Sequence, residues 1–211
     1  MKERPILFSA PMVRAILDGI KTQTRRPVKN IGFVTGIGHV LNGSDNRSEW
    51  PDFCPYGKTG DRLWVRETWG YRTKGSDIIM GTHWENPLYR ANADAYGLLG
   101  HDGFGPIYEE DILWRSSIHM PRSASRISLE ITGVRVERLQ DISEGDAIAE
   151  GVEELDGHFN EAEYCAIAKK IGCCIGDSKP VYAQLWESLN GKGSWDLNPF
   201  VWVIEFKRIE K

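Results

Sequence analysis

The chain reads Gly19-Ile20-Lys21-Thr22-Gln23-Thr24-Arg25-Arg26-Pro27 directly after a short amphipathic helix pattern. Apolar residues recur at helical spacing before it, at Met12, Val13, Ile16 and Leu17. Ser9 and Pro11 are typical of a helix start, and Gly19 is typical of a helix end. The pattern therefore predicts a helix end that presents an amine, two hydroxyls and two guanidinium groups, followed by an extended segment. The partial negative charge of a helix C-terminus favours these basic side chains.

Length and composition predict one globular domain over residues 1–211. A chain of 211 residues with 41% hydrophobic content can bury one substantial core without a metal or disulfide. No stretch approaches the roughly eighteen apolar residues of a membrane span. No apolar segment typical of a secretion signal follows the first residues. We therefore expect a cytoplasmic protein with no membrane partner.

Cysteine and histidine spacing argues against a metal site. The four cysteines form no CxxC pair, and the five histidines show neither HxxxH nor HExxH spacing. Adjacent Cys173 and Cys174 cannot easily bond to each other. The sequence also contains no GxGxxG, P-loop or GxSxG motif. We therefore expect free thiols, no metal and no cofactor.

Charge is unevenly distributed along the chain. The formal net charge is -4, but residues 137–163 contribute -9 and the remainder +5. This balance argues against a protein that coats nucleic acid indiscriminately. Residues 1–30 and 112–129 are both basic, and they would form a local anion site if they met in space. The alternative is that they are separate solvated faces.

Glu67 is a charged residue on an otherwise apolar face of the next predicted strand. Residues 62–69 alternate, so that Leu63, Val65, Glu67 and Trp69 share one face. A carboxylate on an apolar face requires a cation, either Arg25 or Arg26, unless it lies at an exposed strand end or contacts a ligand.

The remaining patterns predict short strands with segregated helices. Residues 127–136 form the longest strand signal, with a bulge at Gly133 that is typical of small barrels. Ser143 and Asp146 cap a short helix that ends at Glu150 and Gly151. A carboxylate is disfavoured by the dipole at such an end. We predict helices over residues 160–171 and 179–190 and a strand over residues 200–206. We predict insertions at about residues 30–59 and 70–120. The class predicted is α+β.

Five blocks of the sequence resemble an ASCH domain, a family of the PUA-like superfamily. They are Ser9 to Arg26, Gly60 to Trp69, Ser125 to Ile131, Ile142 to Val152 and Val201 to Phe206. Phage- and prophage-type members are the most similar. The resemblance implies a small, partly open β-barrel with flanking helices and long loop insertions. It also implies a cleft that recognises RNA or a modified nucleoside.

The resemblance also implies an activity. Some small bacterial ASCH proteins are amidohydrolases that remove the acyl group from N4-acetylcytidine by a lysine, a threonine and a glutamate. These residues match Lys21, Thr24 and Glu150 here, with Glu67 as the competing acid. Chemically, a threonine hydroxyl needs a base, and Lys21 can serve only when it is neutral. An arginine or backbone amide would hold the oxyanion, and a carboxylic acid would protonate the leaving amine.

Two other functions fit the same residues. The first is a non-catalytic module that binds RNA or a modified nucleotide. Lys21, Arg25, Arg26 and Arg126 would hold phosphate, and Trp69 or Trp195 would stack on a base. Glu67 is a further candidate for ligand binding. The second is a metal-dependent ribonuclease.

Overall fold

The structure is a computed structural model that describes residues 1–28, 47–72, 87–92, 112–152, 161–174 and 176–209. The strands within these ranges are β1 (Glu3–Leu7), β2 (Gln23–Pro27), β3 (Arg62–Arg66), β4 (Trp69–Arg72), β5 (Leu88–Tyr89), β6 (Ile112–Arg115), β7 (Ser128–Arg138) and β8 (Phe200–Ile209). The α-helices are α1 (Ala10–Leu17), α2 (Glu144–Ala149), α3 (Glu161–Ile171) and α4 (Ser178–Asn190). Strands in sheets with separately packed helices confirm the predicted α+β class.

The main sheet contains five strands in the order β1-β3-β7-β8-β2. β1 and β3 are parallel, and the other pairs are antiparallel. Four consecutive residues of β8, from Val201 to Ile204, are buried, so both faces of the sheet are covered at this strand. The β-branched and aromatic composition of β8 suits such a position.

The main sheet is open. β1 and β2 are its two edges, and the predicted barrel does not close in the described residues. Arg26 bridges the opening, because its Nη2 donates a hydrogen bond to the carbonyl of Leu7 at 2.6 Å. The predicted bulge is confirmed by a register shift between Ile131 and Gly133. The result is a bent sheet whose two edge strands approach each other at Arg26.

The described residues also form a second sheet of three strands, in the order β5-β4-β6. The strand predicted over residues 62–69 is therefore divided, since β3 ends at Arg66 and β4 begins at Trp69. That residues 70–120 are an insertion stays a prediction. In the described parts, Met120 packs with Trp69 and Ala124, and Ile112 packs with Leu88 and Trp114, in two small clusters outside the main core. Strands of two to four residues are too short to produce a readable period.

Buried residues of α1, α2 and α4 share one core with the main sheet, and α3 packs on α4. Three of the four residues predicted on one face of α4, namely Tyr182, Leu185 and Trp186, are buried, while Leu189 is 67% exposed. Residues 47–53, in the first predicted insertion, form a 3-10 helix that places Trp50 in the main core. Residues 29–46 lie outside the described residues. No helix in the described ranges is long and apolar enough to cross a membrane.

Candidate functional site

The turn after α1 holds the basic stretch against the helix end. The amide groups of Ile20 and Lys21 both donate to the carbonyl of Ala15 at 2.9 Å. Gly19 adopts a φ of 78°, which glycine tolerates without strain. The predicted helix end at Gly19 is therefore confirmed. Lys21 is only 3% exposed, although it follows a surface turn.

The end of α2 brings Glu150 to Lys21. The amide of Thr22 donates to the carbonyl of Ala149 at 2.9 Å, which ties the basic stretch to the last residue of α2. The Nζ of Lys21 donates to the main-chain carbonyl of Glu150 at 2.6 Å and to its Oε2 at 2.9 Å. Both side chains are buried, so the ion pair is largely removed from water.

Gly151 makes this contact possible. It has a φ of 78°, and a Cβ at this position would lie 2.8 Å from the Cβ of Ala15 and 3.0 Å from the Cβ of Lys21. Carbon atoms do not approach so closely without displacement. The absence of a side chain at residue 151 therefore lets α2 end directly on the Lys21 turn.

Gly151→Ala is expected to lower the free energy of unfolding by about 2–4 kcal/mol, from backbone strain and overpacking together. Urea denaturation measures this loss. Gly172→Ala is the matched control, because Gly172 has a φ of 72° but a Cβ added there would meet no other atom within 4 Å. The control should cost only the backbone strain, about 1–2 kcal/mol. Equal losses in the two variants would contradict the packing contact.

Arg25 holds Glu150 from the other side. Its Nη1 donates to Oε1 of Glu150 at 3.2 Å, and its Nη2 donates to Glu137 at 3.1 Å and to Asp146 at 3.0 Å. The side chain is 0% exposed. A buried guanidinium surrounded by three carboxylates is poorly placed to hold a phosphate. Its contacts position the Glu150 carboxylate, and its role in ligand binding stays a prediction.

A cavity of about 580 Å³ opens beside the Lys21–Glu150 pair. Its charged and hydroxyl-bearing wall includes Lys21, Thr24, Arg25, Arg26 and Glu150. Its aromatic wall includes Phe8, Phe53, Tyr56, Tyr182, Trp186 and Trp202. The volume lies within the usual range for small-molecule sites. Aromatic walls with a few charged groups suit a planar, polar ligand such as a nucleobase.

Thr24 and Arg26 reach the cavity from one face of β2, because they are two residues apart on a strand. The guanidinium of Arg26 lies 5.3 Å, and the Lys21 amine 5.5 Å, from the centre of the Phe8 ring. The Nε–H of Arg26 is buried without an acceptor among the described residues. An oxygen of a bound ligand would satisfy such a donor.

Burial controls the protonation of two groups in the cavity. It lowers the pKa of the Lys21 amine below 10.5, an effect that Glu150 opposes and that Arg26 and Arg25 reinforce. Burial also raises the pKa of Tyr182 well above 10, and the Glu150 carboxylate adds to this rise. The Lys21 amine therefore loses its proton more easily than a free lysine does, and the neighbouring Tyr182 phenol loses its proton less easily.

Glu67 lies away from the cavity and pairs with Arg126. The Nε and Nη2 of Arg126 donate to its two carboxylate oxygens at 2.9 and 3.0 Å. The Arg126 guanidinium lies 3.9 Å from the centre of the Tyr89 ring. Glu67 is buried against a cation as expected, but the predicted partners Arg25 and Arg26 are wrong. Glu150, rather than Glu67, is the carboxylate beside Lys21.

The two tryptophans predicted to stack on a base are packed in the interior. Trp69 is 1% exposed and contacts Met120 and Ala124. Trp195 is 3% exposed, and its ring centre lies 6.3 Å from that of Tyr182. Neither residue lines the cavity described above. Arg126, held by Glu67, does not line it either.

The aromatic wall is the part of the site that the sequence patterns do not predict. Tyr182 and Trp186 lie on an apolar helix face, and helical spacing cannot distinguish a core residue from a cavity wall. Phe8 could have been predicted to lie near the site, since it immediately precedes the N-cap of the helix that ends at the basic stretch. Within the described ranges, no group of three or more His, Cys, Asp or Glu side chains could hold a metal ion.

The two basic stretches do not join at the cavity. Arg122 forms an ion pair with Glu3 at 2.8 Å, and Arg126 is held by Glu67. Arg26 and Lys21 therefore face the cavity without an arginine from residues 112–129.

Comparison with known proteins gives one solved structure. No family model and no curated protein matches the sequence. The chain is similar to the high-resolution crystal structure of an ASCH domain from Lactobacillus crispatus JV V101. The sequence identity is 11%, the match covers 98% of this chain and 79% of that chain, and the TM-score is 0.37. That domain is of the family that the five sequence blocks resemble; membership of the phage- or prophage-type subclass stays a prediction.

Proposed function

We propose that the chain is an amidohydrolase that removes an acyl group from the exocyclic amine of a modified nucleobase such as N4-acetylcytidine. The observation that carries the proposal is that Lys21, Thr24 and Glu150 line one aromatic cavity, with Lys21 and Glu150 in direct contact. Amide hydrolysis of this kind needs a nucleophile, a base and an acid, and these three side chains supply them.

The buried ion pair can generate both the base and the acid. Transfer of one proton from Nζ of Lys21 to Oε2 of Glu150, over 2.9 Å, converts an ammonium and a carboxylate into a neutral amine and a carboxylic acid. Burial favours the uncharged form of the Lys21 amine, because it lowers the pKa of this group. Arg25 keeps the Glu150 carboxyl group in place during this transfer through its contact with Oε1.

Acylation follows from this state. The Thr24 hydroxyl attacks the acyl carbonyl while the Lys21 amine takes its proton. Arg26 donates to the oxyanion that forms. The carbon–nitrogen bond then breaks, the Glu150 carboxylic acid protonates the leaving amine, and the acyl group remains as an ester on Thr24. The Lys21 ammonium and the Glu150 carboxylate are restored by this step.

Deacylation uses the same groups. A second proton transfer within the pair again gives a neutral Lys21 amine and a protonated Glu150. Lys21 takes a proton from a water molecule as its oxygen attacks the ester carbonyl. Thr24 leaves and receives the proton of Glu150, and the acyl group departs as a carboxylic acid. The nucleobase would lie meanwhile against the aromatic wall, where stacking suits any base.

We expect kcat for N4-acetylcytidine hydrolysis to fall at alkaline pH, with the fall beginning below pH 10.5. The reason is that the reactive form of the pair, a neutral Lys21 amine beside a protonated Glu150, holds one proton, and burial lowers the pKa at which Lys21 loses it. Chromatographic measurement of cytidine release, from about pH 6 to about pH 10, provides the test. A rate that keeps rising up to about pH 10 would contradict the role of Glu150 as the acid.

Lys21→Met tests whether Lys21 causes this pH dependence. The variant should lose hydrolysis and also the part of the free energy of unfolding that Lys21 makes dependent on pH. A lysine whose pKa is lower in the folded state binds fewer protons there than in the unfolded chain. Its contribution to the free energy of unfolding therefore rises with pH between the folded and the unfolded pKa values. Unfolding curves at several pH values should show this rise in the wild type and not in Lys21→Met.

A non-catalytic module for a modified nucleotide is the second candidate. The ion pair between Lys21 and Glu150 favours it, since a lysine held as an ammonium by a carboxylate is not a base. In that case N4-acetylcytidine would bind without release of cytidine at any pH. Isothermal titration together with the release assay separates the two functions.

A further inference from the structure

The outward face of β3 carries arginines on both sides of a tryptophan. Arg62, Trp64 and Arg66 are half-buried, and they alternate with the buried residues of the strand. Leu7 of β1 lies in register with Arg66, and Glu3 lies in register with Arg62. These side chains therefore share one face of the main sheet.

Trp64 holds two guanidinium groups in place on this face. Those of Arg66 and Arg122 lie 5.1 and 5.9 Å from the centre of its ring, within the range of cation–π attraction. Arg122 is held further by Glu3, whose two carboxylate oxygens accept at 2.8 and 3.1 Å. Arg66 donates its Nε–H to the carbonyl of Met120 at 3.0 Å. The guanidinium groups are thus fixed before any ligand arrives.

This arginine strip, defined as Arg62, Arg66 and Arg122 around Trp64, begins at the cavity. Leu7 lines the cavity and neighbours Arg66 across the β1–β3 pair. Arg26, also in the cavity wall, donates to the carbonyl of Leu7. Guanidinium groups therefore continue from inside the cavity across its edge and along β3.

The strip is electropositive in a chain of negative net charge. Its three arginines face one carboxylate on β1, that of Glu3. Glu130, in register with Arg62 on β7, is paired with Lys207 at 3.4 Å. Among the residues that the structure describes, the strip therefore keeps an excess of positive charge, while the chain has a formal net charge of -4.

We propose that the arginine strip binds the phosphate groups beside the modified base, so that the substrate is a single-stranded oligonucleotide rather than a free nucleoside. The inference rests on the proposed function. Arg62 and Arg66 are four residues apart on a strand, a separation of roughly 13 Å, which is more than a single phosphate spans. A base also enters a cavity most easily from a single strand, where no duplex must be opened.

The test compares two substrates and one double variant. The substrates are N4-acetylcytidine and a seven-nucleotide single-stranded RNA with one central N4-acetylcytidine, and the variant is R62Q/R66Q. We expect the variant to lower kcat/KM for the oligonucleotide roughly tenfold at low salt and to leave hydrolysis of the nucleoside unchanged. The slope of log affinity against log salt concentration should decrease in magnitude by about 1.4, for two lost contacts to a single strand.

The matched control is K169Q/K170Q, which removes two positive charges from α3. It should leave kcat/KM for both substrates unchanged. The same oligonucleotide made as DNA distinguishes the source of the phosphate: equal losses for RNA and DNA support recognition of phosphate alone, and a loss confined to RNA supports an added ribose contact.

Two results would overturn the inference while leaving the proposed function intact. They are equal losses of kcat/KM for nucleoside and oligonucleotide in R62Q/R66Q, or no loss for either. If the wild type hydrolyses neither substrate, the proposed function fails instead. Fluorescence anisotropy of the labelled oligonucleotide then decides the inference, because weaker binding by R62Q/R66Q than by K169Q/K170Q supports the strip and equal binding rejects it.

Discussion

Thr24→Ala is expected to lower kcat for deacylation of N4-acetylcytidine by about 10⁴-fold or more, because it removes the proposed nucleophile. Thr24→Ser should keep measurable hydrolysis, since it retains a hydroxyl at the same carbon. Affinity for the substrate should change little in either variant, as Thr24 is one small residue in a wall formed by large aromatic and charged side chains. Single-turnover release of cytidine and calorimetric binding are the two measurements.

Thr22→Ala is the matched control for Thr24. Thr22 lies two residues away and has an exposed side chain, and its contacts to Ala149 and Phe206 are made by the main chain. Its substitution should leave kcat unchanged. If Thr24→Ala retained full hydrolysis, a water molecule rather than Thr24 would be the nucleophile, and the acyl-threonine route would have to be abandoned.

Glu150→Gln is expected to lower the free energy of unfolding by about 3–5 kcal/mol, because it leaves the buried Lys21 ammonium without its counter-ion. The loss should be smaller at high pH, where Lys21 is neutral in the folded state and needs no counter-ion. Hydrolysis should also be lost, since an amide cannot protonate the leaving amine. Urea denaturation at neutral pH and at about pH 9.5 measures the stability.

A double-mutant cycle separates the ion pair from packing. Lys21→Met combined with Glu150→Gln removes both charges, so its loss should be smaller than the sum of the single losses. Glu161→Gln, in the exposed first turn of α3, is the charge control and should cost no more than about 1 kcal/mol. Additive losses at Lys21 and Glu150 would show that the two side chains do not interact as the structure indicates.

Local patterns predict the elements of this fold well. The helix before Gly19, the bulged strand β7 and the strand β8 follow from signals carried by neighbouring residues. The division between β3 and β4 does not follow from local signals. Glu67 lies between the two strands and is held by Arg126, a residue 59 positions away. The openness of the main sheet is also a tertiary property, since it depends on how far the edges β1 and β2 stay apart.

The candidate site shows the same limit. Lys21 and Thr24 lie in one short stretch, and their chemistry is readable there. Glu150 and Glu67 both stand out in sequence as unfavourable carboxylates, one at a helix end and one on an apolar face. Each has its cation in the structure, but the cations lie at residues distant in sequence, and no period or spacing reveals which carboxylate meets Lys21.

Arg25 and Arg26 show how adjacent residues of one type take different roles. Successive side chains of a strand point to opposite faces. Arg25 therefore turns to the carboxylates of Glu150, Glu137 and Asp146, while Arg26 crosses to β1. Their shared assignment as ligand-binding residues stays a prediction, and this alternation favours Arg26 over Arg25 in that role.

The open sheet has a consequence for association between copies of the chain. An opening between β1 and β2 leaves two strand edges, and exposed edges invite strand pairing and aggregation. Each edge strand here has five residues and contains a proline, Pro5 in β1 and Pro27 in β2. Proline has no amide hydrogen to donate to an added strand. Short edge strands with a missing donor thus let the chain keep an open cavity without offering a template for fibril growth.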